Sequence, residues 1–89
     1  GEIYAGGTTL AERIVDRVGI SVIIERAKEE DTEWTFYDSW QKFNENADRA
    51  SSKKYVDVEG DYYYRVRCVH SANDDVSSSF TDGVYIEEP

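Results

Sequence analysis

From position 58 the chain reads V-E-G-D-Y-Y-Y-R-V-R-C-V, and a period of two sorts its side chains. Tyr62, Tyr64, Val66 and Cys68 fall on one side, and Tyr63, Arg65, Arg67 and Val69 on the other. Alternation separates apolar from charged here and a helical period does not, which predicts a strand with one face on a core. Gly60-Asp61 supplies the turn that leads into it. A second strand is predicted over 19–27, where Ile20, Val22 and Ile24 alternate with Ser21, Ile23 and Glu25 and β-branched residues are dense. A third spans 33–43, with Trp34, Phe36 and Trp40 on one parity and Thr35, Tyr37 and Ser39 on the other. Asp38 interrupts its apolar series and Phe43 is out of phase, so a bulge is expected near 39–42.

The remaining segments are shorter. Tyr55, Val56 and Val58 form a brief strand, 76–80 a Ser-rich one, and Val84 and Ile86 close the chain facing inward, with Tyr85 and Glu87 outward. The polar run 44–53 reads as a connection crossing between sheets, and 28–32 as a charged turn. Residues 8–17 support two readings. Thr9 and Glu12 have capping-box spacing, Leu10, Ile14, Val15 and Val18 repeat at helical spacing, and Gly19 would end the helix. The strand reading puts Leu10, Glu12 and Ile14 on one face, a poorer alternation. Short strands separated by turns every 8–12 residues predict an all-β chain, an immunoglobulin- or fibronectin-III-like antiparallel β-sandwich of about seven strands. The alternative is an α+β fold with a short helix near 9–18. Residues 1–7 are expected to be a flexible leader or tag remnant, with 2–5 read alternatively as a brief edge strand, and 8–89 a single domain.

Composition narrows function more than fold. The 89 residues are 39% hydrophobic and 13% aromatic, enough for one core. A net charge of -9 argues against sequence-independent nucleic-acid binding, and no run of about 20 apolar residues exists for membrane insertion. The chain holds no Met, so it is expected to be a processed or excised product. Lone Cys68 permits no internal disulfide and reads as a small buried hydrophobe. His70 is the single histidine. Serines 71, 77, 78 and 79 and aspartates 74, 75 and 82 lie near it in sequence, but no G-x-S-x-G elbow accompanies them. His70 is therefore expected to hydrogen-bond the adjacent turn. One His and one Cys make no zinc set, and Asp57, Glu59 and Asp61 have turn spacing only. No catalytic residues, metal or cofactor are expected, and the chain is expected to be a monomer.

The run Y-Y-Y-R-V-R-C-V-H-S-A-N from Tyr62 resembles strand F of a fibronectin type III domain. That resemblance implies that Tyr62 is a corner tyrosine whose hydroxyl returns to the preceding backbone. The usual Pro-Gly is Glu59-Gly60 here and lies one residue closer to the tyrosine, and Ile20 to Ile24 replaces the usual early Trp-bearing strand. A broader pattern is similar to a family of small secreted all-β domains of Gram-positive bacteria with no assigned function. It comprises I-S-V-I-I-E-R, W-x-x-x-x-S-W, K-x-Y-x-x-V and G-x-Y-Y-Y-R-V-R-x-x-H. It implies a strand at 8–15 and a secreted or cell-surface location. On the sandwich analogy Tyr37, Tyr63, Arg65, Arg67 and Tyr85 align on one outward face, flanked by Thr35 and Ser39. Tyr and Arg are enriched at recognition surfaces. The resulting expectation is a non-catalytic binding or structural module for a protein or glycan. A plainer reading of that face is cross-strand Tyr–Arg pairing that only stabilises the sheet. The alternatives are a carbohydrate-binding accessory domain on the same face and a small hydrolase using His70.

Overall fold

Two long strands dominate the molecule, β1 (Glu2–Ala27) and β2 (Thr35–Asp57), followed by β3 (Tyr62–Ala72), β4 (Asp75–Phe80) and β5 (Val84–Ile86). The computed structural model describes residues 1–81 and 83–87. They form an all-β structure: one open antiparallel sheet of five strands in the order β2-β1-β3-β4, with β5 also pairing β3. No helix occurs among the described residues.

The alternation of Ile20, Val22 and Ile24 explains the centre of the sheet. This part of β1 is flanked on both sides, Val22 by Trp40 and Cys68, Ile24 by Asp38 and Val66. Val18, Ile20, Val22 and Ile24 are fully buried and form the core with Ala5, Ala50, Val56, Val58, Tyr64 and Cys68.

A flat sheet could not bring Ala5 and Ala50 to those isoleucines. The β1–β2 ribbon bends. Its register jumps from Leu10↔Arg49 to Val15↔Ala47, so β1 spends more residues there than its partner. Asn46 takes a left-handed φ of 50° on the opposing strand, a conformation Asn tolerates better than most residues. Beyond the bend the two arms of the ribbon face each other. Trp40 Nε1–H donates to Ser52 Oγ at 3.0 Å, and the Tyr37 hydroxyl donates to the Asp57 carbonyl at 3.1 Å.

The bend accounts for several departures from expectation. Residues 9–18 are strand, not helix, so the α+β fold is excluded. Leu10 and Ile14, two members of the helical-spacing set, lie exposed at the bend, while Thr9 and Val18 are buried. Non-local pairing with β2 and burial override a weak local helix signal rich in β-branched residues. The leader expected over 1–7 is instead the outer arm of β1, with Glu2↔Asp57 and Gly7↔Ser52 in register. The polar run 44–53 is bent strand within β2, not a connection between two sheets. The structure presents five strands in one sheet where seven in a sandwich were expected. The bulge in β2 lies at Tyr37, between Phe36↔Glu25 and Asp38↔Ile24, earlier than expected.

A tyrosine corner is present, at a different residue. The Tyr64 hydroxyl donates to the Glu59 carbonyl at 2.6 Å, whereas Tyr62 was expected in that role. Both tyrosines share the inward parity, and only Tyr64 is buried. Asp61, at φ 66°, turns the chain so that Glu59 lies over the later tyrosine.

Candidate functional site

Four of the five residues singled out from the sequence share the outer face of the sheet. Tyr63 pairs with Tyr85 across β3 and β5, their ring centroids 4.8 Å apart and tilted by 59°. Two positions along β3, Arg65 pairs with Glu25 of β1, and Arg67 pairs with Ile23. Arg65 Nε lies 3.0 Å and Arg67 Nε 3.8 Å from the same Glu25 Oε1. Two guanidinium groups thus share one carboxylate, and the face is locally cationic on a strongly acidic chain.

Tyr37 is not on this face. The bulge adds one residue to β2 at that point, and one residue is enough to reverse a side chain. Tyr37 packs against the core, edge-on to Tyr64 at 5.6 Å, with the Arg26 guanidinium 4.7 Å above its ring and 4.2 Å from that of Tyr62. Thr35 goes with it, its hydroxyl donating to the Arg26 carbonyl at 3.1 Å. Ser39 pairs with Ile23 on the outer side.

The same bulge brings out residues that the alternation had placed inside. Phe36 pairs with Glu25 and is exposed, and Trp34 lies with its ring 4.6 Å from the Arg65 guanidinium. Phe80, opposite Arg67 at the end of β4, is exposed as well, 5.7 Å from Arg65. Sequence reasoning missed Trp34, Phe36 and Phe80. The available signal was Asp38, a carboxylate on the parity assigned to the core.

His70 bridges elements far apart in the chain. Its Nδ1 lies 2.7 Å from Thr9 Oγ1 on the outer arm of β1, and its Nε2 lies 2.9 Å from Ser79 Oγ on β4. The expected bond to the adjacent turn is replaced by these two hydroxyls. Ser79 and His70 have the separation of a nucleophile and base, but the third group is a hydroxyl, not a carboxylate. Ser79 also sits in a regular ladder opposite Cys68, not on a strained turn. Among the described residues no three His, Cys, Asp or Glu side chains converge as a metal site. A groove of about 890 Å³ runs from the bend of β1 to the β3–β4 turn, lined in part by Glu12, Arg13, His70, Asp74 and Asp75.

Two buried groups set a response to alkali. Burial pushes the Cys68 thiol above its ordinary value, and it pushes the Tyr64 hydroxyl up too, against the lowering influence of Arg26. Both are neutral acids that the folded chain keeps protonated after the unfolded chain has released its protons. Their contribution is complete below the unfolded values of 9.0 and 10.0 and is lost as pH climbs past them. Urea midpoints are expected to fall steadily above about pH 9. The double variant Cys68→Ala, Tyr64→Phe should show a shallower fall; an equally steep one would assign the loss to other groups.

The Tyr85 hydroxyl is also raised, first by desolvation and then by Asp61, whose Oδ1 lies 3.3 Å away. No family model, curated protein or solved structure matches this chain.

Proposed function

We propose that the chain is a non-catalytic binding module, secreted or displayed at the cell surface, whose outer sheet face engages a protein partner. One observation carries this reading. Phe36 and Phe80 are 65% and 60% exposed on either side of a partly buried Arg65–Glu25 pair, with Trp34, Tyr63, Tyr85 and Arg67 around them. Exposed apolar rings grouped about arginine have the make-up of an interface core and hot spot. The secreted address rests on the resemblance to Gram-positive domains. The finer fold reading rests on the bends: divided there, β1 and β2 each give two runs, and the total of seven resembles an immunoglobulin-like sandwich.

A glycan is the second reading, because Tyr and Trp stack on sugar rings. The geometry favours it less. Tyr63 and Tyr85 are tilted by 59° and form no single flat platform, and one face of Trp34 is taken by Arg65. Phenyl rings also offer no hydrogen bond to a hydroxyl.

Isotope-labelled protein should be titrated with extracellular protein fractions of a Gram-positive culture and, separately, with a glycan library. Line broadening centred on Phe36, Tyr63 and Phe80 is expected with a protein fraction. The double variant Phe36→Ser, Arg67→Ser should weaken the purified complex by about tenfold or more. Undiminished binding by that folded variant would remove the outer face from the reading. Response to glycans alone would replace the protein partner with a sugar.

A further inference from the structure

Two of the sheet's strand edges, those of β2 and β4, are unlike. The β2 edge is broken by the Tyr37 bulge and the bend, and it carries Lys42. Bulges and lysines blunt an edge against further pairing. The β4 edge has neither: D-V-S-S-S-F contains no Lys, Arg or Pro, its register with β3 is unbroken, and all six residues are exposed.

The phase of the ladder shows which backbone groups point away from β3. The Thr81 N–H donates to the Val66 carbonyl at 2.9 Å, making those two opposite residues a hydrogen-bonded pair. Antiparallel pairs alternate, so Asp75, Ser77 and Ser79 aim their N–H and C=O groups at β3. Val76, Ser78 and Phe80 aim theirs outward.

We propose that this edge is a strand-addition site for an extended peptide segment with alternating apolar residues and a basic end. The outward groups of Val76, Ser78 and Phe80 supply the main-chain bonds, as in other peptide recognition by sheet edges. Val76 and Phe80, 68% and 60% exposed on the outer side, give apolar side chains of the incoming strand something to cover. At the Asp75 end the incoming strand passes the groove between β1 and the β3–β4 turn. Asp74, Asp75 and Glu12 line it against one cation, Arg13. That imbalance selects lysine or arginine at the corresponding end of the peptide. The same acidity, in a chain of net charge -9, opposes pairing of two copies through this edge. The site does not depend on a partner at the outer face, although Phe80 borders both.

The test is an amide-resolved NMR titration with a short peptide of alternating Val and Thr that ends in two lysines. Two twins accompany it, one ending in two glutamates and one Nα-methylated at alternate residues. Shifts and slowed exchange at Val76, Ser78 and Phe80 are expected, with binding by either twin weaker by about tenfold, the loss of one or two main-chain hydrogen bonds or of charge pairing. Ser78→Pro removes an outward donor while leaving the β3 ladder intact, and should abolish the response. The methylated twin keeps the test valid if that variant fails to fold. Equal binding by all three peptides, or shifts confined to Tyr63 and Tyr85, would overturn the site. So would concentration-dependent protection of the edge without peptide, which would assign it to a second copy of the chain.

Discussion

Ile20→Ala is expected to remove about 2–5 kcal/mol of stability, toward the upper part of that range. Ile20 is fully buried on the central strand, between Lys42 of β2 and His70 of β3. The cost of such a truncation depends on whether neighbours can close the space. Across the core from Ile20 lies Gly7, where an added Cβ would sit 3.2 Å from Ile20 Cδ1. Glycine has no side chain to move into the void, and the backbone of the outer arm is held by pairing to β2. A domain of this length has a total stability of about 4–13 kcal/mol, so the loss is a large share of it. Urea unfolding should show a lower midpoint with unchanged slope. Ile14→Ala provides the contrast, because that side chain is 70% exposed at the bend and should change stability by about 0.5 kcal/mol or less. Equal losses for the two isoleucines would mean that the ribbon does not fold back on itself.

This pair of isoleucines also shows what the sequence could and could not convey. Alternation identified Ile20, Val22, Ile24, Tyr64 and Cys68 as inward because their face is set by two-residue periodicity alone. The order of strands around them depends on pairings across about 40 residues or more, such as Thr8↔Ser51, and no local pattern encodes that. Ile14 was ambiguous because the chain bends there, and a bend suspends alternation for several residues. At the candidate face, Tyr63, Arg65, Arg67 and Tyr85 were legible since β3 and β5 run without a bulge through them. Tyr37, Phe36 and Trp34 were misassigned by one inserted residue. Asp38 and Phe43 placed a bulge at 39–42, but it lies at Tyr37, and its position decides which aromatics face solvent. The corner tyrosine is a smaller case of the same kind: Tyr62 and Tyr64 have equal parity, and the path of the Glu59–Asp61 turn selects the second.

Gly6→Ala is expected to destabilise by about 1–3 kcal/mol or more, although residues 1–7 read in sequence as a flexible leader. A Cβ on Gly6 would collide with the Ser52 carbonyl oxygen and come within 2.6 Å of Lys53 Cα. These are backbone atoms of the paired strand, so relief requires the two arms to separate. The penalty is steric and owes nothing to dihedral preference, since none of the described glycines has positive φ. It must also outweigh the gain of about 0.4–1 kcal/mol that Gly→Ala normally brings by restricting the unfolded chain. Gly7→Ala separates these effects. Its Cβ would meet Cys68 Sγ and Ile20 Cδ1, each at 3.2 Å, and both are side-chain atoms able to give by a few tenths of an ångström. Denaturant midpoints should therefore fall sharply for Gly6→Ala and move little for Gly7→Ala. The reverse order would show that the outer arm of β1 is displaced from β2. Ala5 and Ala50 would then lose their place in the core with Ile20 and Val22.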